Sequence, residues 1–250
     1  APSPKNYAMA NTPLDPSSIK GLIFDYGGTI DCAGDHWAVI IREAYDTLPV
    51  PQLPLETFID AYVFAERELA RTRHILPEHN FLDMMRIKAR IELERLVDTG
   101  AMQAGAPEKY AGPIADYCYA HARVCIDKVR PVLCRLAQSR PVALVSNFYG
   151  NIEAVLADFG LAPLFPIIIE SAVVGIRKPD PRIFSLGVEA LGLAPEEVLV
   201  IGDSLSKDIK PAQSIGCPTV WIKGRQWFGD TPGQHRGCTV ESLDELAVLY

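Results

Sequence analysis

The stretch GLIFDYGGTID, residues Gly21–Asp31, places a carboxylate and two glycines directly after a short apolar run. Residues 22–24 are typical of a buried β-strand, and Asp25 follows where that strand would end. Gly27 and Gly28 then break the chain into a turn. Since aspartate is also common in turns, Asp25 is either a reactive group at the end of a strand or the first residue of a turn.

After Pro131, two kinds of sequence segment alternate along the chain. Short apolar, β-branched runs are typical of buried parallel strands, and the segments between them have helical character. The strand-like runs are PVALVSN, FPIIIES, EEVLVIGDS and CPTVWIK, and the helical segments are NIEAVLADFG, DPRIFSLGVEALG and SKDIKPAQSIG. Strands that alternate with helices predict an α/β fold with a doubly wound parallel sheet.

A helical block separates the Asp25 strand from the rest of this sheet. From about Asp35 to Val129 the apolar residues recur near helical spacing, as in LETFIDAYVFAERELARTR. The sequence therefore predicts a helical domain inserted after the first strand. We assign residues 18–31 and 132–250 to the α/β core, 32–131 to the helical cap domain and 1–17 to a flexible tail.

Composition narrows the function classes. The 250 residues carry a formal net charge of -7 and are 48% hydrophobic. An acidic chain disfavours a nucleic-acid partner, and no apolar run approaches the ~20 residues that cross a membrane. The six cysteines show no metal-binding spacing, and the amino-terminal residues have no apolar segment of a signal peptide. We expect a cytoplasmic protein with reduced thiols.

Polar residues follow four of the predicted strands. They are Asp25, the pair Ser146 and Asn147, Lys178, and Asp203 with Asp208. Each alone could cap a turn or a helix, but ligands of open parallel sheets bind at the carboxyl ends of the strands. Together these residues predict one site.

The residue types at this site suit phosphoryl chemistry. Asp25, Asp203 and a backbone carbonyl would offer the oxygen ligands that Mg²⁺ prefers. Ser146 and Lys178 could hold phosphate oxygens, and backbone amides at Gly28 and Thr29 could approach them closely. A carboxylate beside a metal and an anchored phosphate can act as a nucleophile, with Asp208 orienting Lys178 or a metal-bound water.

The motifs FDYGGTID, LVSN, RKPDPRIF and GDSLSKD resemble, in order and spacing, the four motifs of the haloacid dehalogenase-like (HAD) hydrolase superfamily. The resemblance is to its phosphoglycolate and sugar-phosphate phosphatases, and it implies a Rossmann-like core with an inserted α-helical cap. It implies Asp25 as the nucleophile and Asp25, Asp203 and the Gly27 carbonyl as Mg²⁺ ligands. We predict as catalytic residues Asp25, Ser146, Asn147, Lys178 and Asp208, and as phosphate-binding residues Gly28, Thr29, Ser146, Asn147 and Lys178.

One residue departs from the family pattern. Phosphatases of this family usually read Asp-x-Asp in the first motif, and the second Asp is the general acid and base; here Gly27 stands at that position. General acid–base catalysis typically contributes about 10²–10⁴-fold. The predicted function is Mg²⁺-dependent hydrolysis of a small phosphorylated metabolite through an aspartyl-phosphate on Asp25, with the proton handled by water or by a cap residue such as Asp35 or His36. Asp35 is alternatively the N-cap of the first cap helix.

Three other interpretations remain open. A phosphonate hydrolase would use a cap lysine as a Schiff base, although Lys88, Lys109 and Lys128 are each expected to be surface residues. A 2-haloacid dehalogenase would carry an aromatic residue where Gly27 stands, one place after Tyr26, and would not need the intact GDSLSKD motif. A catalytically silent phospholigand-binding protein would explain the lost acid but not the retained charges. The loop at residues 224–237 could border the site.

Overall fold

The computed structural model describes residues 14–228 and 237–249. The predicted flexible tail at residues 1–17 therefore lies mostly outside the described residues. Most of the loop predicted to border the site, residues 229–236, lies outside them too.

A parallel sheet of six strands forms the centre of the molecule, with the order β3-β2-β1-β4-β5-β6. The strands are β1 (Gly21–Phe24), β2 (Val142–Ser146), β3 (Ile167–Glu170), β4 (Val198–Gly202), β5 (Thr219–Ile222) and β6 (Cys238–Val240). The predicted α/β fold with a doubly wound parallel sheet is confirmed. The edge strand β6 was not predicted.

The strand order reverses beside β1. The chain passes from β1 outward to β2 and β3, then returns to β4 on the other side of β1, where Phe24 pairs with Ile201. Ligands of such sheets bind at this switch point, outside the carboxyl ends of the strands. The last residues of β1 and β4 therefore deliver Asp25 and Asp203 side by side.

Both faces of the sheet are covered, which explains the continuous apolar runs. Successive side chains of a strand point to opposite faces. Leu22 and Phe24 accordingly join the larger core, whereas Ile23 packs in a smaller core with Ile183 and Phe184.

Four helices lie between β1 and β2: α1 (Trp37–Asp46), α2 (Leu55–Arg71), α3 (Phe81–Asp98) and α4 (Ala106–Ser139). They make up the helical block that the sequence assigns to the cap. The remaining helices are α5 (Ile152–Asp158), α6 (Ser171–Val174), α7 (Arg182–Leu191) and α8 (Lys210–Ser214), the last preceded by a π-turn at Leu205–Ile209. Short 3₁₀ segments occur at Ala162–Leu164, Pro195–Glu197 and Leu243–Leu249.

Helix α4 extends beyond the cap. It continues through Pro131 to Ser139 without a break, so the predicted boundary between residues 131 and 132 falls inside one helix. The division of the chain into core and cap remains a prediction. Within the described ranges, no helix combines the length and the apolar composition needed to cross a membrane.

Candidate active site

The carboxyl ends of β1, β2 and β4 meet on the floor of a cavity of about 460 Å³. Asp25, Ser146 and Asp203 come from these strand ends, and Lys178 and Asp208 join them from the loop before α7 and the π-turn. All five side chains are buried. The sheet therefore brings together the polar residues that the sequence placed at separate strand ends.

Lys178 links the two sides of this floor. Its Nζ donates to Asp25 Oδ1 and to Asp208 Oδ1, each at 2.7 Å. Burial lowers the pKa of Lys178, but the carboxylates of Asp208 and Asp25 outweigh it, so the pKa lies above its usual value. Lys178 is thus a fixed ammonium whose position is set by the two carboxylates.

Three carboxylates lie close together around Lys178, which binds two of them. One oxygen each of Asp25, Asp203 and Asp208 lies within 4.8 Å of the others. Burial raises the pKa of Asp203 well above its usual value, and the like charges of Asp208 and Asp25 raise it further. A buried, oxygen-only cluster with excess negative charge is the donor set that fits a hard divalent cation.

Two hydroxyl groups contact these carboxylates, Ser146 in the cavity lining and Thr29 behind it, fully buried. Thr29 Oγ1 lies 3.3 Å from Asp25 Oδ2 and 3.0 Å from Asp203 Oδ1, and Ser146 Oγ donates to Asp25 Oδ1 at 3.3 Å. Asn147 uses its side chain differently, because its amide binds the backbone of Lys178. The structure therefore places Asn147 beside the site as a support for Lys178, and its predicted contact with phosphate stays a prediction.

The two glycines after Asp25 occupy different surroundings. Gly28 has φ +92°, and a Cβ there would lie 2.6 Å from Asp203 Oδ2, so only glycine lets the turn approach the carboxylate. A Cβ at Gly27 would meet no atom within 4 Å. The space that the second Asp of the family motif would fill is open.

The cap lines the opposite side of the cavity, largely with aromatic and methionine side chains from α1, α2 and α3. They are Trp37, Tyr62, Phe81, Met84 and Met85. Among them lies an ion pair between Lys88 Nζ and Glu66 Oε1, and the same Glu66 oxygen accepts a hydrogen bond from the Tyr149 hydroxyl at 3.1 Å.

The prediction that Lys88 is a surface residue is wrong, because this lysine is 5% exposed and lines the cavity. It lies on α3, which packs against both α2 and α4. Burial lowers the pKa of Lys88, but Glu66 outweighs it and the pKa lies well above its usual value. Lys109 and Lys128 do not line the cavity.

Asp35 does not cap α1, contrary to the sequence-based expectation. The N-cap is His36, whose Nδ1 accepts from the Ala38 N–H at 3.1 Å, while Asp35 binds Arg225. His36 lines the cavity and Asp35 does not. Tyr26 is fully buried edge-on against Phe148 and does not line the cavity either.

Asp31 and Trp227 are among the cavity-lining residues that sequence reasoning missed. Asp31, the last residue of the opening stretch, lines the cavity beside Asp25 and Gly27. Trp227, in the described part of the 224–237 loop, also lines it and contacts His36 and Tyr62 at centroid distances of 5.3 and 5.4 Å. An acidic residue so soon after the nucleophile was a readable signal for Asp31, but nothing in the loop sequence indicated where Trp227 would pack.

Comparison with known proteins identifies the family to which the chain belongs. Residues 19–216 match the family model described as haloacid dehalogenase-like hydrolase. The chain is 25% identical over 229 residues to the phosphoglycolate phosphatase of Escherichia coli, a match covering 85% of this chain and 84% of that protein. It is 39% identical over 82 residues to the phosphoserine phosphatase of Thermus thermophilus, covering 32% and 33%.

Other relatives are matched over only part of their length. The chain spans 40% of the glyceraldehyde 3-phosphate phosphatase of Methanocaldococcus jannaschii, at 35% identity over 91 residues that make up 36% of this chain. Among solved structures, a magnesium-bound HAD hydrolase of Bacillus subtilis superposes with a TM-score of 0.55 at 22% identity, covering 92% of this chain and 98% of that one. At this identity the likeness concerns the fold alone.

Proposed function

Since the chain belongs to the haloacid dehalogenase-like hydrolase family, we propose that it is a Mg²⁺-dependent phosphatase of a small phosphorylated metabolite. The reaction would pass through an aspartyl-phosphate on Asp25. The observation that carries this proposal is the position of Lys178 Nζ, 2.7 Å from both Asp25 and Asp208 on the floor of the cavity. A nucleophile held beside a fixed ammonium is what attack on a phosphate requires.

Asp25 is suited to the role of nucleophile. Its Oδ1 is held by Lys178 and Ser146, and its Oδ2 lies 3.3 Å from Thr29 Oγ1. These contacts fix the carboxylate so that one oxygen can attack phosphorus without first reorienting. Lys178 and Ser146, which already touch Asp25, would then hold the oxygens of the transferred phosphoryl group.

The cation site suits Mg²⁺. Asp25, Asp203 and the Gly27 carbonyl would hold the ion, and Asp208 would keep Lys178 in place. When bound, the ion would offset the negative charge that makes phosphate and carboxylate repel one another.

The wider cavity supports a small substrate. Its volume of about 460 Å³ is in the range of small-molecule sites. The cap side presents aromatic rings together with the Glu66–Lys88 pair, which suits a leaving group with both apolar and hydrogen-bonding parts. The residues of the floor would bind the phosphate, so the selection of the leaving group would fall to the cap side.

A phosphonate hydrolase is the second candidate, because Lys88 lines the cavity. Schiff-base formation needs a neutral amine, however, and the pairing with Glu66 holds Lys88 as an ammonium. The charged state of Lys88 therefore favours a binding role over a nucleophilic one. The buried position of Tyr26 gives no support to a dehalogenase site.

The test is release of inorganic phosphate from 4-nitrophenyl phosphate, acetyl phosphate and a panel of sugar phosphates, with and without Mg²⁺. We expect metal-dependent release that Asp25→Asn abolishes. Binding of phosphate or Mg²⁺ without release from any compound would instead identify a silent phospholigand-binding protein. Phosphate release from a phosphonate that carries an aldehyde group, with which a lysine can form a Schiff base, would favour the phosphonate hydrolase if it required Lys88.

A further inference from the structure

The missing acid at position 27 raises the question of which group handles the leaving-group proton. We infer that Asp31 takes over this role, giving a proton to the oxygen of the leaving group and later accepting one from the attacking water. The inference rests on the proposed phosphatase function and adds a catalytic residue to it.

Asp31 is built into the cavity wall. It is 1% exposed and lines the cavity together with Asp25 and Gly27. Its Oδ1 accepts hydrogen bonds from the Gly28 N–H at 2.7 Å and from Trp37 Nε1 at 3.0 Å. Because both donors bind the same oxygen, they fix the orientation of the carboxyl group, and the backbone N–H of Asp31 itself is a further donor to this carboxyl group.

The open space at Gly27 gives a substrate access to this wall. No atom lies within 4 Å of a Cβ built at residue 27. A leaving group on a phosphate bound to Asp25 could occupy the region that a side chain at position 27 would otherwise fill. Asp31 follows Gly27 by four residues and lines the same cavity.

The charge state of Asp31 suits proton transfer in both directions. Burial raises its pKa to about 7, and the carboxylate of Asp25 contributes to the rise. Catalytic acids and bases work best when their pKa lies near the operating pH. Within residues 14–228 and 237–249, charge interactions link Asp31 to Asp25, Tyr26, Cys32 and Cys125, and none of these four groups is a cation that would hold Asp31 ionised.

Other titratable groups of the cavity are less suited. Burial raises the pKa of Glu66, but Lys88 outweighs it and keeps Glu66 ionised, so it has no proton to give. Lys88 stays protonated and so cannot accept a proton from water. His36 also lines the cavity, and its Nδ1 accepts from the start of α1; it is the rival that an experiment must test.

The two steps balance in atoms and charge. In the first, an Asp25 oxygen bonds to phosphorus, the bond to the leaving oxygen breaks, and that oxygen takes the proton of Asp31 as the alcohol departs. In the second, water attacks phosphorus, its proton passes to Asp31, and the electron pair of the broken phosphorus–oxygen bond returns to Asp25. Inorganic phosphate leaves and both carboxyl groups regain their starting states.

The experiment compares two substrates with the full chain loaded with Mg²⁺: 4-nitrophenyl phosphate, whose leaving group needs no proton, and benzyl phosphate, whose leaving group does. In Asp31→Asn, 4-nitrophenolate should appear in a rapid burst followed by slow turnover, because only the second step has lost its base. Turnover of benzyl phosphate should fall by about 10²–10⁴-fold, with no burst of benzyl alcohol. Asp46→Asn, at the exposed end of α1, is the matched control and should behave as the wild type.

Equal slowing of both substrates without a burst would overturn the role of Asp31 and leave the phosphatase proposal standing. The role of Asp31 would also be overturned if His36→Gln, and not Asp31→Asn, showed the burst with 4-nitrophenyl phosphate and the loss of benzyl phosphate turnover. A wild-type protein inactive on both compounds would overturn both proposals. Should Asp31→Asn not fold, Trp37→Phe removes one donor to Asp31 and should raise its pKa, moving the alkaline limb of kcat for benzyl phosphate to higher pH; an unmoved limb would count against Asp31.

Discussion

Asn147 holds the backbone of Lys178 at two points: its Oδ1 accepts from the Lys178 N–H at 2.9 Å, and its Nδ2 donates to the Lys178 carbonyl at 3.1 Å. This pairing ties the end of β2 to the loop that carries the ammonium. Asn147 thus fixes the start of the Lys178 side chain, while Asp25 and Asp208 fix its end.

Loosening this pairing should impair turnover. We expect Asn147→Ala to lower kcat for 4-nitrophenyl phosphate by about 10- to 100-fold, since a displaced catalytic group loses its alignment. Asn147→Asp keeps an acceptor for the Lys178 N–H and loses the donor to the Lys178 carbonyl, so its kcat should lie between those of the wild type and Asn147→Ala. Asn80→Ala, which removes the N-cap of α3, is the control and should affect stability without lowering kcat. Wild-type kcat in Asn147→Ala would show that Lys178 needs no such support.

The close approach of Gly28 to Asp203 makes a second prediction. In Gly28→Ala the new methyl group would strike Asp203 and would require an unfavourable backbone conformation at φ +92°. We expect the free energy of unfolding to fall by about 1–3 kcal/mol and the stabilisation by added MgCl₂ to shrink, both measured by chemical denaturation. The neighbouring Gly27→Ala has open space around its Cβ and should unfold like the wild type. Equal stability of the two variants would contradict the packing of Gly28 on Asp203.

The floor of the site could be predicted from the sequence because it depends on sheet topology. Apolar, β-branched runs identified β1, β2, β3, β4 and β5, and the carboxyl ends of parallel strands necessarily share one edge. Asp25 and Asp203 are 178 residues apart in the sequence, and no local pattern links them. Each directly follows its own strand. Their proximity follows from the pairing of β1 with β4.

The cap side could not be predicted, because it depends on how helices pack against each other. The segment around Lys88 is rich in charged residues and looks like an exposed helix face, but α3 is covered by α2 on one side and α4 on the other. The partner of Lys88 is Glu66, on a different helix. Pro131 similarly indicated a boundary, because an interior proline removes a backbone hydrogen bond and crowds the carbonyl four residues earlier, yet α4 continues through it to Ser139.

Glu92 makes stability depend on pH. This α3 residue is 1% exposed, its Oε2 accepts from the Tyr45 hydroxyl at 3.2 Å, and its Oε1 has no partner among the described residues. Burial raises the pKa of Glu92 from 4.5 to about 7. The folded protein therefore holds a proton that the unfolded chain releases, so this contribution to stability is complete below pH 4.5 and is lost as the pH rises through about 7.

We accordingly expect Glu92→Gln to gain stability relative to the wild type as the pH increases, because the amide cannot ionise. At pH values above about 7 the gain in unfolding free energy should be about 1–3 kcal/mol, and it should be smaller in mild acid. Glu94→Gln, an exposed position on the same helix, should change stability by less than about 0.5 kcal/mol at any pH. A difference between Glu92→Gln and wild type that does not vary with pH would contradict the buried, protonated state.

Trp227 lies in the loop after β5 and lines the cavity. The loop is held by Arg225, whose guanidinium binds Asp35 at 2.7 Å, and by Gly224, where a Cβ would lie 2.2 Å from the backbone of Gly34. This close backbone contact brings Trp227 against His36. The described part of the loop therefore links the core to the first residues of the cap and contributes Trp227 to the lining of the cavity.

Removing the ring should weaken substrate binding more than chemistry. We expect Trp227→Ala to raise KM for benzyl phosphate by about three- to tenfold with a smaller change in kcat, because an aromatic contact is worth about 0.5–1.5 kcal/mol and the floor of the site is untouched. Gly224→Ala should act in the same direction by pushing the loop away from Gly34, whereas Gly112→Ala, in an open position on α4, should leave KM unchanged. If kcat fell and KM did not, Trp227 would instead be needed to position the reacting groups beneath it.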